Sequence, residues 1–321
     1  MKLAHLKTVL ILVGLVACNG TTDGSGEAVT NPNRSGMMIY TGIGKLYAVN
    51  MATNKTRVAL NLPVTSESYG GIGVGPKGEI AVTYNASTTG PDSRITIFRM
   101  DGSTENLGKR PHMVQTNPKF SADGSKLAYT ASFRDKNNDL QYVVQVISRT
   151  GAALYYYSNA RSPSWLPDGR LVYKSLKDDS LYLSDADPQN ASELIPNTKG
   201  VGAPDVSPDG TRIVFSLGNP RHVFMVNLNG SARRQVTTSQ YGEELLAVFS
   251  PNSKELLVSS YGCVSAGSGP PSGGIDNDVL HIISSSATML DIPSGTRSGV
   301  PSEQRDESGS TRCSYAAPSW R

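Results

Sequence analysis

The sequence predicts an all-β fold, a six-bladed β-propeller of four-stranded blades. Three observations carry this expectation. A unit of about 44 residues recurs along the chain, in the range that marks blades or solenoids. A turn of the Ser-Pro-Asp-Gly kind sits at the same place in nearly every unit, and a third strand-like segment can be counted six times.

The units are legible as Gly73-VGPKGEIAVTY, Asn117-PKFSADGSKLAYTA, Ser162-PSWLPDGRLVYKS, Ala203-PDVSPDGTRIVFSL and Ala247-VFSPNSKELLVSS. Aligning the large residue before the turn places Val74, Phe120, Trp165, Val206 and Phe249 in register, at spacings of 46, 45, 41 and 43. In each unit an apolar segment leads into the turn. Proline presets φ for the first central position and glycine accepts positive φ without steric cost, so the chain reverses and an antiparallel second strand follows, with alternation such as Arg212-Ile-Val-Phe-Ser. The third strands are Lys45-LYAVN, Arg94-ITIFRM, Val143-VQVIS, Ser180-LYLSD, His222-VFMVNL and Val279-LHIIS. Turns such as Asp101-Gly102, Thr150-Gly151 and Asn229-Gly230 precede short fourth strands, among them Ala153-LYYY and Gln235-VTT. Four strands per unit is the pattern of a propeller blade.

The two ends complete the pattern. Pro318-Ser-Trp320 repeats Pro163-Ser-Trp165, and Met37-MIYTG and Lys45-LYAVN read as the second and third strands of the same unit. One blade is therefore expected to be assembled by pairing of the N- and C-terminal segments, which removes a sheet edge from the seam.

Composition agrees with a packed globular core: 38% of residues are hydrophobic and 32 are glycine. The formal charge is +3, and two of the positive charges, Lys2 and Lys7, precede the short apolar run Val9–Val16. The remaining chain is near neutral, which argues against nucleic acid as a partner. A run of about eight apolar residues is too short to cross a bilayer but suits the core of an export signal. Leu15-Val16-Ala17-Cys18 resembles a bacterial lipobox, implying a signal peptide over 1–17 and lipidation of Cys18. An ordinary signal peptide cut nearby is the other reading. Asn19 rather than Asp after the cysteine points to the outer membrane facing the periplasm. Residues 18–35 hold almost nothing apolar and read as a flexible tether, and 36–321 as the propeller.

The P-x-W/F-S-P-D-G-x-x-I-A-F/Y unit resembles that of TolB-type propellers, a repeat shared with prolyl-oligopeptidase-like peptidases and oligogalacturonate lyases. The resemblance spans 36–321. It implies a scaffold that binds an envelope protein or peptidoglycan-associated complex. TolB itself carries an α/β domain before its propeller, where only the tether stands here.

Each enzymatic function would need residues of its own. The peptidases keep their catalytic set in a separate α/β domain, and no G-x-S-x-G occurs in the chain. The lyases use several histidines at the channel mouth, whereas His222 and His281 fall in predicted third strands and read as structural, leaving His112. Asp135-Lys-Asn137-Asn-Asp139 starts like a calcium loop but has Leu140 and Val146 where an EF-hand needs Gly and Glu, so a polar hairpin tip is expected. A glycan-active lyase or hydrolase at the mouth is the alternative function. No cofactor or metal is expected.

Two cysteines remain beyond Cys18. Cys263 and Cys313 lie in Gly-, Ser- and Pro-rich stretches inserted in the last blade, which also accounts for the spacing of 71 from Phe249 to Trp320. In an exported protein an even pair argues for a disulfide, worth about 4 kcal/mol for a loop of this length. Two free thiols are the other reading.

In a propeller the loops that lead into the inner strands converge at one mouth of the central channel. The candidate binding residues are therefore Tyr69 with Glu67, His112 with Gln115, Arg161 with Asn159, Tyr241, Glu243 and Tyr315. Tyrosine, arginine and carboxylate together suit a protein or peptide partner. A monomer held at the membrane by its lipid anchor is the expected state.

Overall fold

A computed structural model describes residues 37–42, 45–52, 55–61, 69–85, 93–99, 101–109, 113–185, 190–196, 198–238, 243–261 and 278–290. All regular elements among them are β-strands, arranged in antiparallel sheets.

The first sheet holds β1 (Met37–Gly42), β2 (Lys45–Asn50) and β3 (Lys55–Asn61). Three complete four-stranded blades are built in sequence order from β4 (Tyr69–Val74), β5 (Ile80–Asn85), β6 (Ser93–Phe98) and β7 (Thr104–Lys109); from β8 (Met113–Phe120), β9 (Lys126–Arg134), β10 (Leu140–Ser148) and β11 (Ala153–Ser158); and from β12 (Ala160–Trp165), β13 (Leu171–Ser175), β14 (Leu181–Ser184) and β15 (Ala191–Ile195). A fourth follows as β16 (Asp205–Val206), β17 (Arg212–Gly218), β18 (Arg221–Asn227) and β19 (Arg234–Gln235). The last sheet has β20 (Glu243–Phe249), β21 (Glu255–Tyr261) and β22 (Asp278–Ser284).

This corrects the expectation of six equal four-stranded blades. Five blades from β4 to β22 pack in series, four with four strands and one with three, and β1–β3 form a separate three-stranded sheet. After β22 the described chain, as far as residue 290, crosses to the preceding blade. Leu290 N–H donates to the Val236 carbonyl at 2.9 Å and Thr238 N–H to the Leu290 carbonyl at 2.9 Å, while Arg234 reaches the Ser285 carbonyl. Trp320, expected to pair beside β1 and close the ring, lies outside the described residues.

The turn signature folds as its chemistry demands. Ser121 N–H donates to the Lys126 carbonyl at 3.0 Å, Ser121 Oγ donates to Asp123 Oδ1 at 2.6 Å, and Gly124 takes a φ of 73°. Ser207, Asp209 and Gly210 repeat the arrangement, and Ser250 with Asn252 repeats it with Ser253 in the left-handed region. The Ser121 hydroxyl, then the Ser125 N–H, hold the Asp123 carboxyl down to about 2.

The core lies between blades. One cluster joins Ile95, Ile97 and Leu107 to Phe120, Leu127 and Tyr129, and others fill the following junctions. Because the blades inside the series are covered on both sides, their second strands are buried on both faces: Leu171–Ser175 is buried throughout, and β17 shows continuous burial from Ile213 to Leu217 rather than the alternation expected for Arg212-Ile-Val-Phe-Ser.

The first strands lie against one another and form the inner layer. Trp165 Nε1 donates to the Lys119 carbonyl at 2.9 Å, Val206 N–H to Ser164 Oγ at 3.0 Å, and Phe249 N–H to Asp205 Oδ2 at 3.0 Å. Gly73 is required at this level, since a Cβ there would overlap the Pro118 carbonyl. Four of these first strands bulge at the equivalent place, near Gly71, Asn117, Ser162 and Leu246. Gly71, Asn117 and Ser162 have positive φ there.

Candidate functional site

The antiparallel order gives the five packed blades a common polarity. Each first strand starts at one end, here called the mouth end, where the hairpins between second and third strands also lie. The Ser-Pro-Asp-Gly turns lie at the other end.

Between the inner strands is a small open cleft, lined by residues of β8, β12, β16 and β20 and the segments leading into them. Its polar side chains are Asn117, Lys119, Ser162 and Asp205, and Pro163, Pro204, Leu246 and Val248 supply apolar walls. Lys119 Nζ stands 3.9 Å from Asp205 Oδ1, and both side chains are nearly enclosed. The cleft therefore presents one cation and one anion on an otherwise largely apolar surface.

The pair was not among the sequence candidates, which were placed in the loops before each inner strand. Lys119 and Asp205 occupy the place immediately before the aligned large residue, where the other units have Gly73, Ser164 and Val248. Charges at a place that otherwise takes small or apolar residues were the available signal.

Of the six candidates, Arg161 has a described side chain. It is exposed at the mouth end of β12, and its guanidinium carbon lies 6.0 Å from the Tyr142 ring centre of the neighbouring blade. Tyr69 and Glu243 open β4 and β20 at the same end. Their side chains lie outside the described residues, as do His112, Tyr241, Tyr315 and Glu67. Asn159 is exposed with a φ of 51°, and its carbonyl accepts from Leu176 N–H at 2.6 Å. Gln115 is buried, with its N–H donating to Ser93 Oγ at 2.5 Å and its Oε1 enclosed without a hydrogen-bond partner.

The histidines read as structural lie on third strands, His222 half-buried and His281 buried. His222 Nδ1 is 2.9 Å from Glu244 Oε2, and His281 is 2% exposed. Among the described residues no group of three His, Cys, Asp or Glu side chains is arranged to hold a metal. The Asp135 segment is a hairpin tip, because Asp135 Oδ1 accepts from Asn137 and Asp139 N–H at 2.9 and 3.0 Å. Cys18, Cys263 and Cys313 lie outside the described residues, and with them the proposed anchor and disulfide.

A tyrosine stack crosses the next junction: Tyr157 to Tyr173 at 4.7 Å between ring centres, and Tyr173 to Tyr182 at 6.1 Å. The Tyr182 hydroxyl donates to Asp178 at 2.5 Å, and that carboxylate pushes it up to about 12.

Residues 79–265, more than half the chain, match the family described as the TolB beta propeller domain. Among solved structures, TolB of Acinetobacter baumannii is similar with a TM-score of 0.57 at 15% identity, covering 87% of this chain and 65% of that one. A TolB of Agrobacterium tumefaciens gives 0.53 at 20% identity, over 66% and 76% of the two chains. An oligogalacturonate lyase in complex with manganese gives 0.54 at 16%, over 84% and 78%. At these identities the likeness concerns the fold. No curated protein sequence matches the chain.

Proposed function

The chain belongs to the TolB beta-propeller family, and from that premise we propose that it is an envelope lipoprotein whose propeller is a protein-binding scaffold. The observation that carries this reading is the cleft between inner strands, where Lys119 and Asp205 face apolar walls at the centre of converging blades. Such a surface offers a few oriented polar groups within apolar contact area, as protein and peptide recognition requires. Arg161, exposed over Tyr142 at the mouth end, supplies an arginine–aromatic pair beside it.

In this proposal residues 1–17 direct export, Cys18 carries the lipid, and 18–35 tether a monomeric propeller to the periplasmic face of the outer membrane. Cys18 diacylated on sulfur and acylated on its amine after Leu15-Val16-Ala17 would carry three chains and give the stable attachment that one chain alone does not. The terminal segment around Trp320 pairs beside β1 and completes the β1–β3 sheet, and Cys263 and Cys313 form a bond beside that seam. The partner is an envelope protein or a peptidoglycan-associated complex.

Crosslinking and pulldown from intact envelopes tests the reading. An Arg161→Ala/Tyr241→Ala variant is expected to lose most of the partner recovered by the wild type, and equal recovery would refute the placement of the binding face. Labelling with a palmitate analogue is expected to mark the wild type and to be lost in Cys18→Ser. The mass of the non-reduced protein is expected to lack two hydrogens relative to two free thiols.

A further inference from the structure

The outer rim of the blades carries a strand edge that the cleft does not use. β11 is the last strand of its sheet, and among the described residues no strand pairs with its far side. Its six residues, Ala153-Leu-Tyr-Tyr-Tyr-Ser158, contain no charge. The other outer strands differ. β3 has Lys55 and Arg57, β7 has Glu105 and Lys109, β15 has Glu193, and β22 has Asp278 and His281. β19 is two residues long and runs on into residues 236–238, against which Leu290 lies. Charge, shortness and a covering segment are devices that keep a sheet edge from taking up another strand. Among the described residues β11 has none of them along Tyr155–Ser158, which run in regular register with Val143–Val146, and its one irregularity falls at Leu154.

The strand is held firmly from its other face. Alternation turns Tyr155 and Tyr157 toward the next blade, where Tyr157 stacks on Tyr173 at 4.7 Å between ring centres and meets Tyr155 edge-on at 5.9 Å. Tyr156, opposite Gln145 on β10, faces the other way and is 61% exposed, and Leu154 is 47% exposed. Every second residue of β11 turns its N–H and C=O away from β10. An edge so held presents those groups in the geometry that an added strand needs, with little left to order on this side.

We propose that β11 is a strand-addition site for an extended, uncharged segment of another protein with apolar side chains at alternate positions. The backbone dictates the extended form, because a second row of peptide groups at the strand spacing of about 4.8 Å satisfies the outward groups of β11 in register. The side chains dictate the rest. A residue opposite Tyr156 or beside Leu154 gains apolar contact, whereas a charged one would lose water and find no counter-charge along the strand. A second copy of this chain is the poorer occupant. A seam about 20 Å long, with two large exposed side chains from each copy, falls short of the roughly 1,200 Å² that a stable dimer covers, while main-chain hydrogen bonds along it serve a peptide segment. The edge is separate from the cleft, since β8, which lines the cleft, is three strand spacings or about 14 Å away.

A fluorescent peptide of alternating valine and threonine, about eight residues long, tests the site on the full chain. It is expected to bind the wild type and to slow amide exchange in β11 while that of β9 is unchanged. Methylating all the backbone nitrogens of the peptide removes its donors and is expected to abolish binding. Tyr156→Lys is expected to weaken binding about tenfold or more, and Tyr156→Thr, uncharged and strand-forming, by about threefold or less. Tyr156 is exposed, so thermal unfolding of both variants is expected to match the wild type. Absence of binding, binding that survives methylation or Tyr156→Lys, or slowed exchange that spares β11 would overturn the proposal. A wild-type dimer that Tyr156→Lys dissociates overturns it as well, because the occupant is then a second copy.

Discussion

The indole N–H of Trp165 donates to the backbone carbonyl of Lys119 at 2.9 Å, joining residues 46 positions apart. Each is at the aligned place of its own repeat or next to it, so the bond is a contact between repeats as well as between strands. Ser164 with Val206 and Asp205 with Phe249 carry the same level of contact on through the next two junctions. This belt positions the cleft, because two of its members, Lys119 and Asp205, also line it.

Trp165→Phe keeps most of the ring volume and leaves the Lys119 carbonyl without its indole donor. Its expected cost is about 1 kcal/mol, against about 3–5 kcal/mol for Trp165→Ala, which also opens a cavity among Val144, Val146 and Leu171. Urea unfolding checks both, and equal losses for the two variants would contradict the assignment.

Asp205→Ala removes the acceptor of Phe249 N–H and the carboxylate beside Lys119. The expected loss is about 2–3 kcal/mol, because both side chains are nearly enclosed. Asp205→Asn retains an acceptor for the N–H and should lose less. Chemical denaturation of the two variants in parallel measures the difference.

Gly73→Ala should destabilise by about 2 kcal/mol or more, since the added methyl meets the Pro118 backbone and neither strand can yield without disturbing the inner layer. A Gly102→Ala change meets nothing nearby and should cost less, coming from φ alone. Thermal unfolding that ranks the two in the reverse order would refute the close approach.

Asp123 contributes to acid stability with a definite sign. Its carboxyl is held at about 2, below the ordinary 3.8, by the Ser121 hydroxyl and then by Ser125. The stabilisation is present above pH 3.8 and is lost as the pH falls toward about 2. Asp123→Asn should flatten the dependence of Tm on pH across that window, by a modest amount because the group is exposed. An unchanged slope would show that the turn network does not couple to folding.

Much of the fold was legible because the determinants are local. Ser121, Asp123 and Gly124 build their turn from their own side chains and backbone, so the motif announces it wherever it occurs. The third strands counted from Lys45 to Val279 all form. Equality of the blades was not legible. The described chain after β22 lies against residues 235–238, with Arg234 reaching the Ser285 carbonyl, and no propensity of residues 287–290 announces that contact. The position of Arg161 at the start of an inner strand was legible from the repeat. Lys119 and Asp205 were missed because their proximity depends on how blades pack.

By itself the sequence determined the all-β class, the repeat and its turns, and the end of each blade at which the loops gather, all of which follow from short-range chemistry repeated at a fixed interval. Tertiary structure decided that Lys119 would face Asp205 and that the buried Glu244 carboxylate would meet His222. Those outcomes arise from contacts between residues about 20 to 90 positions apart, where burial and the loss of water fix the partner, and a one-dimensional pattern carries no record of that distance.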